Sequence, residues 1–132
     1  MPNFVKPSML LVDDDAAARD VLCSVFEGRE FDVLTAASAA EAQAVLSVFA
    51  FDLVVTDLHM ESEYAGYDVV RCAKSAQEQP VSVILSSSPI PATEWQAAGA
   101  DAAFLKSAGL RKMVESIERR LRQHLPEEAR IA

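Results

Sequence analysis

Five polar side chains stand directly after short apolar runs, and their types suit phosphoryl chemistry. Asp13 and Asp14 follow one run, Asp57 follows a second, Ser86 a third and Lys106 a fourth. In a doubly wound sheet, ligands bind just outside the carboxyl ends of the strands. If the apolar runs are neighbouring parallel strands, these side chains are expected to lie together at one edge of the sheet.

The three aspartates predict a site for Mg²⁺, with Mn²⁺ as an alternative. Converging carboxylates repel one another and shift towards protonation unless a cation neutralises them. Mg²⁺ prefers oxygen and usually takes one or two carboxylates together with waters and a phosphate oxygen. Asp57 would act as the nucleophile and form an aspartyl phosphate. The metal and Lys106 would offset charge on the transferring oxygens, while the Ser86 hydroxyl would hold one of them.

Strand-sized apolar runs alternate with segments of helical period, which predicts an α/β fold with five β-α units. Runs that are apolar throughout suit strands covered on both faces, as in a parallel sheet with helices on either side. Two local signals mark helix starts: Asp15 is expected to cap the first helix, and Ser38 with Glu41 forms a capping box for the second. The predicted strands are 10–12, 31–36, 52–56, 81–85 and 102–105, and the predicted helices are 16–27, one following Ser38, 69–76, 92–98 and 108–124.

Composition narrows the function classes. The chain has 132 residues, of which 51% are hydrophobic, and this length and content are typical of one domain with a real core. The net charge is −8. The acidic balance argues against nucleic acid or an anionic membrane as the main partner. No signal peptide or membrane-length apolar run is evident, so a cytoplasmic protein without membrane insertion is expected. We place the domain at 8–124 and a short tail without an output domain at 125–132.

Two cysteines and two phenylalanines are expected in the interior. Cys23 and Cys72 are too few for a disulfide scaffold and sit in apolar helical contexts, so small buried thiols are predicted. Phe49 and Phe51 are likewise predicted to belong to the core. Trp95 is interpreted as a packing residue or a partner contact.

Four segments together resemble the receiver domain of two-component response regulators. They occur in the order and close to the spacing of that family, and the resemblance covers about residues 8–124. The resemblance implies a flavodoxin-like (βα)5 fold with strand order 2-1-3-4-5. It would place Cys23 and Cys72 on opposite faces of the sheet, too far apart to bridge. The segments are LLVDDD (10–15), DLVVTDLHM (52–60), VILSS (83–87) and GADAAFLK (99–106).

The resemblance also implies an activity and a role for each matching residue. The family accepts a phosphoryl group from the phosphohistidine of a histidine kinase or a histidine phosphotransfer protein, and requires Mg²⁺. On this chain the implied roles are the phosphoacceptor for Asp57, the acidic metal pair for Asp13 and Asp14, a metal-binding backbone carbonyl for His59, the switch hydroxyl for Ser86 and the site lysine for Lys106.

The segment after Asp57 departs from the family pattern. Glu61 stands where the family has proline, and Gly66 lies one residue further from Asp57 than usual. Residues 61–64 are therefore interpreted as an insertion beside the site.

Departures also follow the fourth and fifth strands. Ser107 replaces the proline after the lysine, which predicts either a trans peptide with an altered loop or a cis peptide costing about 2.5–4 kcal/mol. Ala103 occupies the position of the family's switch aromatic, and Phe104 is expected to point into the core. Pro89 and Pro91 predict a truncated fourth helix, so the choice of partner on that side is expected to be atypical.

Three functions compete at this stage. The leading one is a stand-alone phosphoacceptor receiver, not an enzyme in the usual sense, that signals through an unknown protein partner, onward phosphotransfer or a phosphorylation-linked dimer. The second is a receiver-like interaction module that is never phosphorylated. The third is a haloacid-dehalogenase-type phosphatase using the Asp13-x-Asp15 pair, which Ala17 disfavours and which leaves Asp57 unexplained.

Overall fold

The five predicted strands form a single parallel sheet. The computed structural model describes residues 6–124, so the predicted tail at 125–132 lies outside the described residues. The strand order β2-β1-β3-β4-β5 confirms the topology that the family resemblance implied. The strands are β1 (Ser8–Val12), β2 (Asp32–Ala36), β3 (Leu53–Asp57), β4 (Val81–Ser86) and β5 (Ala102–Leu105).

A helix follows each strand, and two of the predicted helix starts were wrong. The third helix begins at Ala65 rather than at residue 69, because its first turn packs closely on the end of β3 instead of presenting a periodic apolar stripe. The fifth begins at Leu110 rather than at residue 108, because Gly109 has a φ of 104°, which lies outside the helical region. The helices are α1 (Ala16–Gly28), α2 (Ala39–Leu46), α3 (Ala65–Lys74), α4 (Ala92–Ala98) and α5 (Leu110–His124).

The helices cover both faces of the sheet. Helices α1 and α5 pack on one face, around Phe26 and Ile117, while α2, α3 and α4 pack on the other, around Leu10, Val69 and Ile84. Every residue of β3 and β4 is buried, which explains why these runs are apolar almost throughout. Their polar ends are therefore the places where the buried sheet meets the site.

Two predictions about the interior need correction. Phe49 is 57% exposed, because α2 ends at Leu46 and Phe49 lies in the connection to β3, beyond the stripe that faces the sheet. Phe51, by contrast, packs against the core as expected. Cys23 and Cys72 are free thiols on helices of opposite faces, as predicted, but both are half-buried rather than buried.

Residues 6–124 contain no helix that is both long enough and apolar enough to cross a membrane.

Candidate phosphoryl and cation site

The three predicted carboxylates meet at the carboxyl edge of the sheet. Strands β1 and β3 are neighbours, and their register pairs Val12 with Thr56, so Asp13 and Asp57 leave the sheet side by side. One carboxylate oxygen from each of Asp13, Asp14 and Asp57 lies within 4.8 Å of the others. Asp13 is 1% exposed and Asp57 7%, whereas Asp14 is open to solvent. This all-oxygen donor set fits a hard divalent cation such as Mg²⁺.

Lys106 joins the cluster from the far end of the sheet. It follows β5, and its Nζ lies 3.0 Å from Asp57 Oδ2 and 3.4 Å from Asp13 Oδ2. Its backbone N–H donates to the carbonyl of Ser86 at 2.8 Å, which fixes the start of the β5–α5 connection against the end of β4. Four of the predicted site residues are thus brought together.

The pKa values of both central groups of the site, Asp57 and Lys106, are raised. Burial raises the pKa of Asp57 and the charge of Asp13 adds to the rise, outweighing the lowering effects of Lys106 and of the Leu58 N–H. Burial would by itself lower the pKa of Lys106, but the hydrogen bond and charge of Asp57, with the charge of Asp13, raise it. The lysine therefore stays charged, while the negative charge of the aspartates is only partly compensated.

Asp13 is held in place by its own turn. Its Oδ1 accepts a hydrogen bond from the backbone N–H of Asp15 at 3.0 Å, and its carbonyl accepts one from Arg19 Nη1 at 2.8 Å. The carboxylate of Asp15 instead caps α1, accepting from the Ala17 N–H at 3.0 Å, as predicted. The Asp13-x-Asp15 pair required by a dehalogenase-type phosphatase is therefore split between the cluster and a helix cap.

Ser86 lies at the same edge of the sheet, but its hydroxyl is turned to its own loop. It is the last residue of β4 and is 1% exposed, and its Oγ accepts from the Ser88 N–H at 3.2 Å. Ser86, Trp95 and Ala103 are among the residues that line a cavity of about 190 Å³. Ala103 contributes to this cavity from the position at which the family has its switch aromatic. Phe104 packs instead against the core on the α5 side, as expected.

The peptide between Lys106 and Ser107 is trans, which settles the alternative that the sequence left open; none of the peptide bonds in residues 6–124 is cis. The chain continues into a turn in which the Ala108 N–H donates to the Leu105 carbonyl at 3.1 Å.

Gly66 allows the segment after Asp57 to pack tightly. A Cβ at this position would lie 2.4 Å from the carbonyl oxygen of Asp57 and 2.8 Å from Leu58 Cα. The Gly66 N–H donates to the Leu58 carbonyl at 2.9 Å. The glycine therefore matters for close approach between α3 and the end of β3.

His59 lies two residues after Asp57, and its ring makes a hydrogen bond within the loop. His59 Nδ1 is hydrogen-bonded to the carbonyl oxygen of Glu63. The role expected for His59 concerns its backbone carbonyl, and that role stays a prediction.

Glu61 has a role that the sequence pattern did not reveal. Its carboxylate accepts hydrogen bonds from the backbone N–H groups of Ala39 and Ala40, at 2.8 and 3.0 Å, at the start of α2. The Ala39 N–H, followed by that of Ala40, lowers the pKa of the exposed Glu61 carboxyl. The only sequence signal was an acid in place of the family's proline, which says nothing about a contact with another helix.

Comparisons with known proteins agree with the fold. A model of the response regulator receiver domain family matches residues 9–118. The aerobic respiration control protein ArcA of Escherichia coli is 35% identical over 73 residues, which are 55% of this chain and 29% of that protein. The chain therefore matches less than a third of the length of this relative.

Solved structures show the same fold. A CheY-like receiver domain protein from Methanospirillum hungatei superposes with a TM-score of 0.81 at 23% identity, covering 91% of this chain and 97% of that one. The response regulator TrrA of Thermotoga maritima, in complex with Mg²⁺ and BeF, superposes with a TM-score of 0.75 at 20% identity, covering 86% and 97%.

Proposed function

Because the chain belongs to the response regulator receiver domain family, we propose that it accepts a phosphoryl group on Asp57 from a phosphohistidine donor. The donor would be a sensor histidine kinase or a histidine phosphotransfer protein. The observation that carries the proposal is the position of Lys106 Nζ, 3.0 Å from Asp57 and 3.4 Å from Asp13, inside a cluster of three carboxylates. A phosphoacceptor aspartate needs this combination of a cation-binding acid pair and a fixed positive charge.

The transfer step follows from the residues of the cluster. A carboxylate oxygen of Asp57 attacks phosphorus, the new O–P bond forms as the P–N bond of the donor breaks, and the electron pair stays on the donor's imidazole. Formation of this acyl phosphate replaces the carboxylate charge of Asp57 with the negative charge of the phosphoryl oxygens. Lys106 is then free to pair with a phosphoryl oxygen at the same place. Attack of water on phosphorus releases inorganic phosphate and returns the free carboxylate, so the chain would catalyse only its own phosphorylation and dephosphorylation.

Asp13, Asp14 and Asp57, with the backbone carbonyl of His59, are the groups proposed to hold the cation. Bound Mg²⁺ supplies charge neutralisation and orientation of the phosphoryl oxygens. The structure of TrrA was solved with Mg²⁺ and BeF, which supports assigning Mg²⁺ to this cluster. Ser86 Oγ accepts a hydrogen bond from the Ser88 N–H at 3.2 Å, which leaves its own O–H available to donate to a phosphoryl oxygen.

The output of the domain is proposed to be a protein contact or onward phosphotransfer. We place the receiver unit at residues 8–124 and propose that it signals through an altered surface or a phosphorylation-linked dimer rather than through contact with nucleic acid. The net charge of −8 supports a protein partner. Helix α4 has only seven residues, which supports a partner different from those that read a longer α4.

A second candidate is a receiver-like interaction module that is never phosphorylated. An alanine at position 103, where the family has its switch aromatic, favours it, because part of the usual link between site and surface is then missing. The intact cluster of Asp13, Asp57 and Lys106 argues against it.

Incubation with acetyl phosphate and Mg²⁺, followed by intact-mass measurement, separates the two candidates. We expect one added phosphoryl group that is lost in base. The modification should be absent from Asp57→Asn and present in Asp20→Asn, which removes an exposed carboxylate on α1. An unmodified wild-type protein, or equal modification of Asp57→Asn, would overturn the proposal and favour the interaction module.

A further inference from the structure

The loop between Asp57 and α3 is hydrogen-bonded to the start of α2. The carboxylate of Glu61 in this loop accepts hydrogen bonds from the N–H groups of Ala39 and Ala40, at 2.8 and 3.0 Å. Ser38 Oγ accepts the next one, that of Glu41, at 3.0 Å. The first three N–H groups of α2 are therefore all bonded, and two of them depend on a carboxylate more than 20 residues later in the chain.

The same loop is braced internally. Met60 N–H donates to the Ser62 carbonyl at 3.0 Å, and the ring of His59 is hydrogen-bonded to the Glu63 carbonyl. The Leu58 N–H donates both to the Leu85 carbonyl of β4, at 2.9 Å, and to Asp57 Oδ1, at 3.0 Å. The loop is thus hydrogen-bonded to the sheet through Leu58, to itself through residues 59–63, and to α2 through Glu61. Because of these bonds, a movement of Glu61 is expected to displace the backbone of residues 58–60 as well.

We propose that Glu61 is a positioning residue for the cation site, because its bonds to Ala39 and Ala40 hold the backbone of residues 58–60 in place beside Asp57. The proposal rests on the proposed function, in which the carbonyl of His59 completes the cation shell. It assigns a task to the residue that replaces the family's proline. A proline restricts φ through its own ring, whereas Glu61 restrains the loop from outside, through α2.

Coupling of this kind is reciprocal. If the contact between Glu61 and α2 favours cation binding, cation binding must stabilise that contact by the same free energy. The N–H groups of Ala39 and Ala40 should then exchange more slowly with solvent deuterium when Mg²⁺ is added. A cap that only stabilises α2 would leave this exchange independent of the ion.

Two matched substitutions test the proposal. Glu61→Gln and Glu63→Gln each remove one exposed carboxylate from the same loop, but only Glu61 bonds to α2. Mg²⁺ affinity measured by titration calorimetry should fall about fivefold or more in Glu61→Gln relative to Glu63→Gln, the size of a typical coupling between sites. Glu61→Ala should fall further, because glutamine keeps one acceptor oxygen. Circular dichroism confirms that the variants are folded.

Each result has a distinct meaning. The role of Glu61 would be overturned by equal Mg²⁺ affinities in the two glutamine variants. It would also be overturned if hydrogen exchange of the Ala39 and Ala40 amides did not change with Mg²⁺. Neither result would affect the proposed phosphorylation of Asp57. Ser38→Ala, which weakens the same helix start without touching the loop, should lower stability without changing Mg²⁺ affinity. A wild-type protein that neither binds Mg²⁺ nor reacts with acetyl phosphate would overturn the proposed function together with this inference.

Discussion

The ammonium group of Lys106 lies 3.0 Å from the carboxylate of Asp57, although one residue follows the edge strand β5 and the other ends the central strand β3. The ion pair crosses the end of β4, which separates the two strands. A lysine that only neutralised the buried aspartate would not need to contact Asp13 as well, at 3.4 Å. The double contact places the positive charge where the oxygens of a phosphoryl group on Asp57 would gather.

Removing the lysine is expected to slow the chemistry. Lys106→Ala should reduce the initial rate of labelling by acetyl phosphate about 10²–10³-fold, since a preorganised charge aimed at the transferring oxygens is lost. Intact mass followed over time measures the rate. Lys112→Ala removes an exposed lysine on α5 and should react like the wild type. Equal rates for Lys106→Ala and Lys112→Ala would contradict the role of Lys106.

Asp14 allows the metal contribution to be separated from fold stability, because it is the exposed member of the carboxylate cluster. Asp14→Asn should weaken Mg²⁺ binding by at least about tenfold, since one unit charge at ~4 Å in an effective dielectric of about 20 is worth several kcal/mol. Without Mg²⁺ the variant should unfold at the same or higher urea concentration, because repulsion within the cluster is relieved. Titration calorimetry and urea unfolding give the two quantities.

Asp15→Asn is the control for Asp14. It removes a neighbouring charge while asparagine still caps α1. A loss of Mg²⁺ affinity as large as that of Asp14→Asn would mean that general charge, rather than a ligand, had been removed.

Gly66 predicts a steric effect that is specific to its position. Gly66→Ala should lower the free energy of unfolding by about 1–3 kcal/mol, because the new Cβ would lie 2.4 Å from the Asp57 carbonyl and the backbone must shift. Urea unfolding measures the loss. Gly28→Ala, at the end of α1, meets no atom within 4 Å and should leave stability unchanged or raise it. Equal effects of the two substitutions would show that the close approach is absent in solution.

The residues of the site could largely be predicted from the sequence, because each follows an apolar run and ends a strand. Asp13, Asp57 and Lys106 needed only the rule that parallel strands present their carboxyl ends at one edge. Glu61 could not be predicted, since its partners on α2 lie more than 20 residues away and no local pattern describes a carboxylate bound to another helix. Phe49 was misplaced for a similar reason, because hydrophobicity alone does not show where α2 stops covering the sheet.

Tyr67 links α3 to α4 and should make stability depend on alkaline pH. It is buried, and its hydroxyl donates to the carboxylate of Glu94 at 2.8 Å; burial, followed by the hydrogen bond and charge of Glu94, raises the pKa of Tyr67 above its ordinary value. A raised folded-state pKa contributes stability that is complete below the unfolded pKa of about 10 and is lost as the pH rises from there through the folded value.

Tyr67→Phe should therefore lower the free energy of unfolding by about 1 kcal/mol near neutral pH and show a shallower alkaline decline than the wild type. Urea unfolding over a pH series measures both, with Tyr64→Phe, the exposed neighbour stacked on Tyr67, as the control that keeps the hydroxyl bound to Glu94. A Tyr67→Phe decline as steep as that of the wild type would mean that other groups cause the alkaline unfolding.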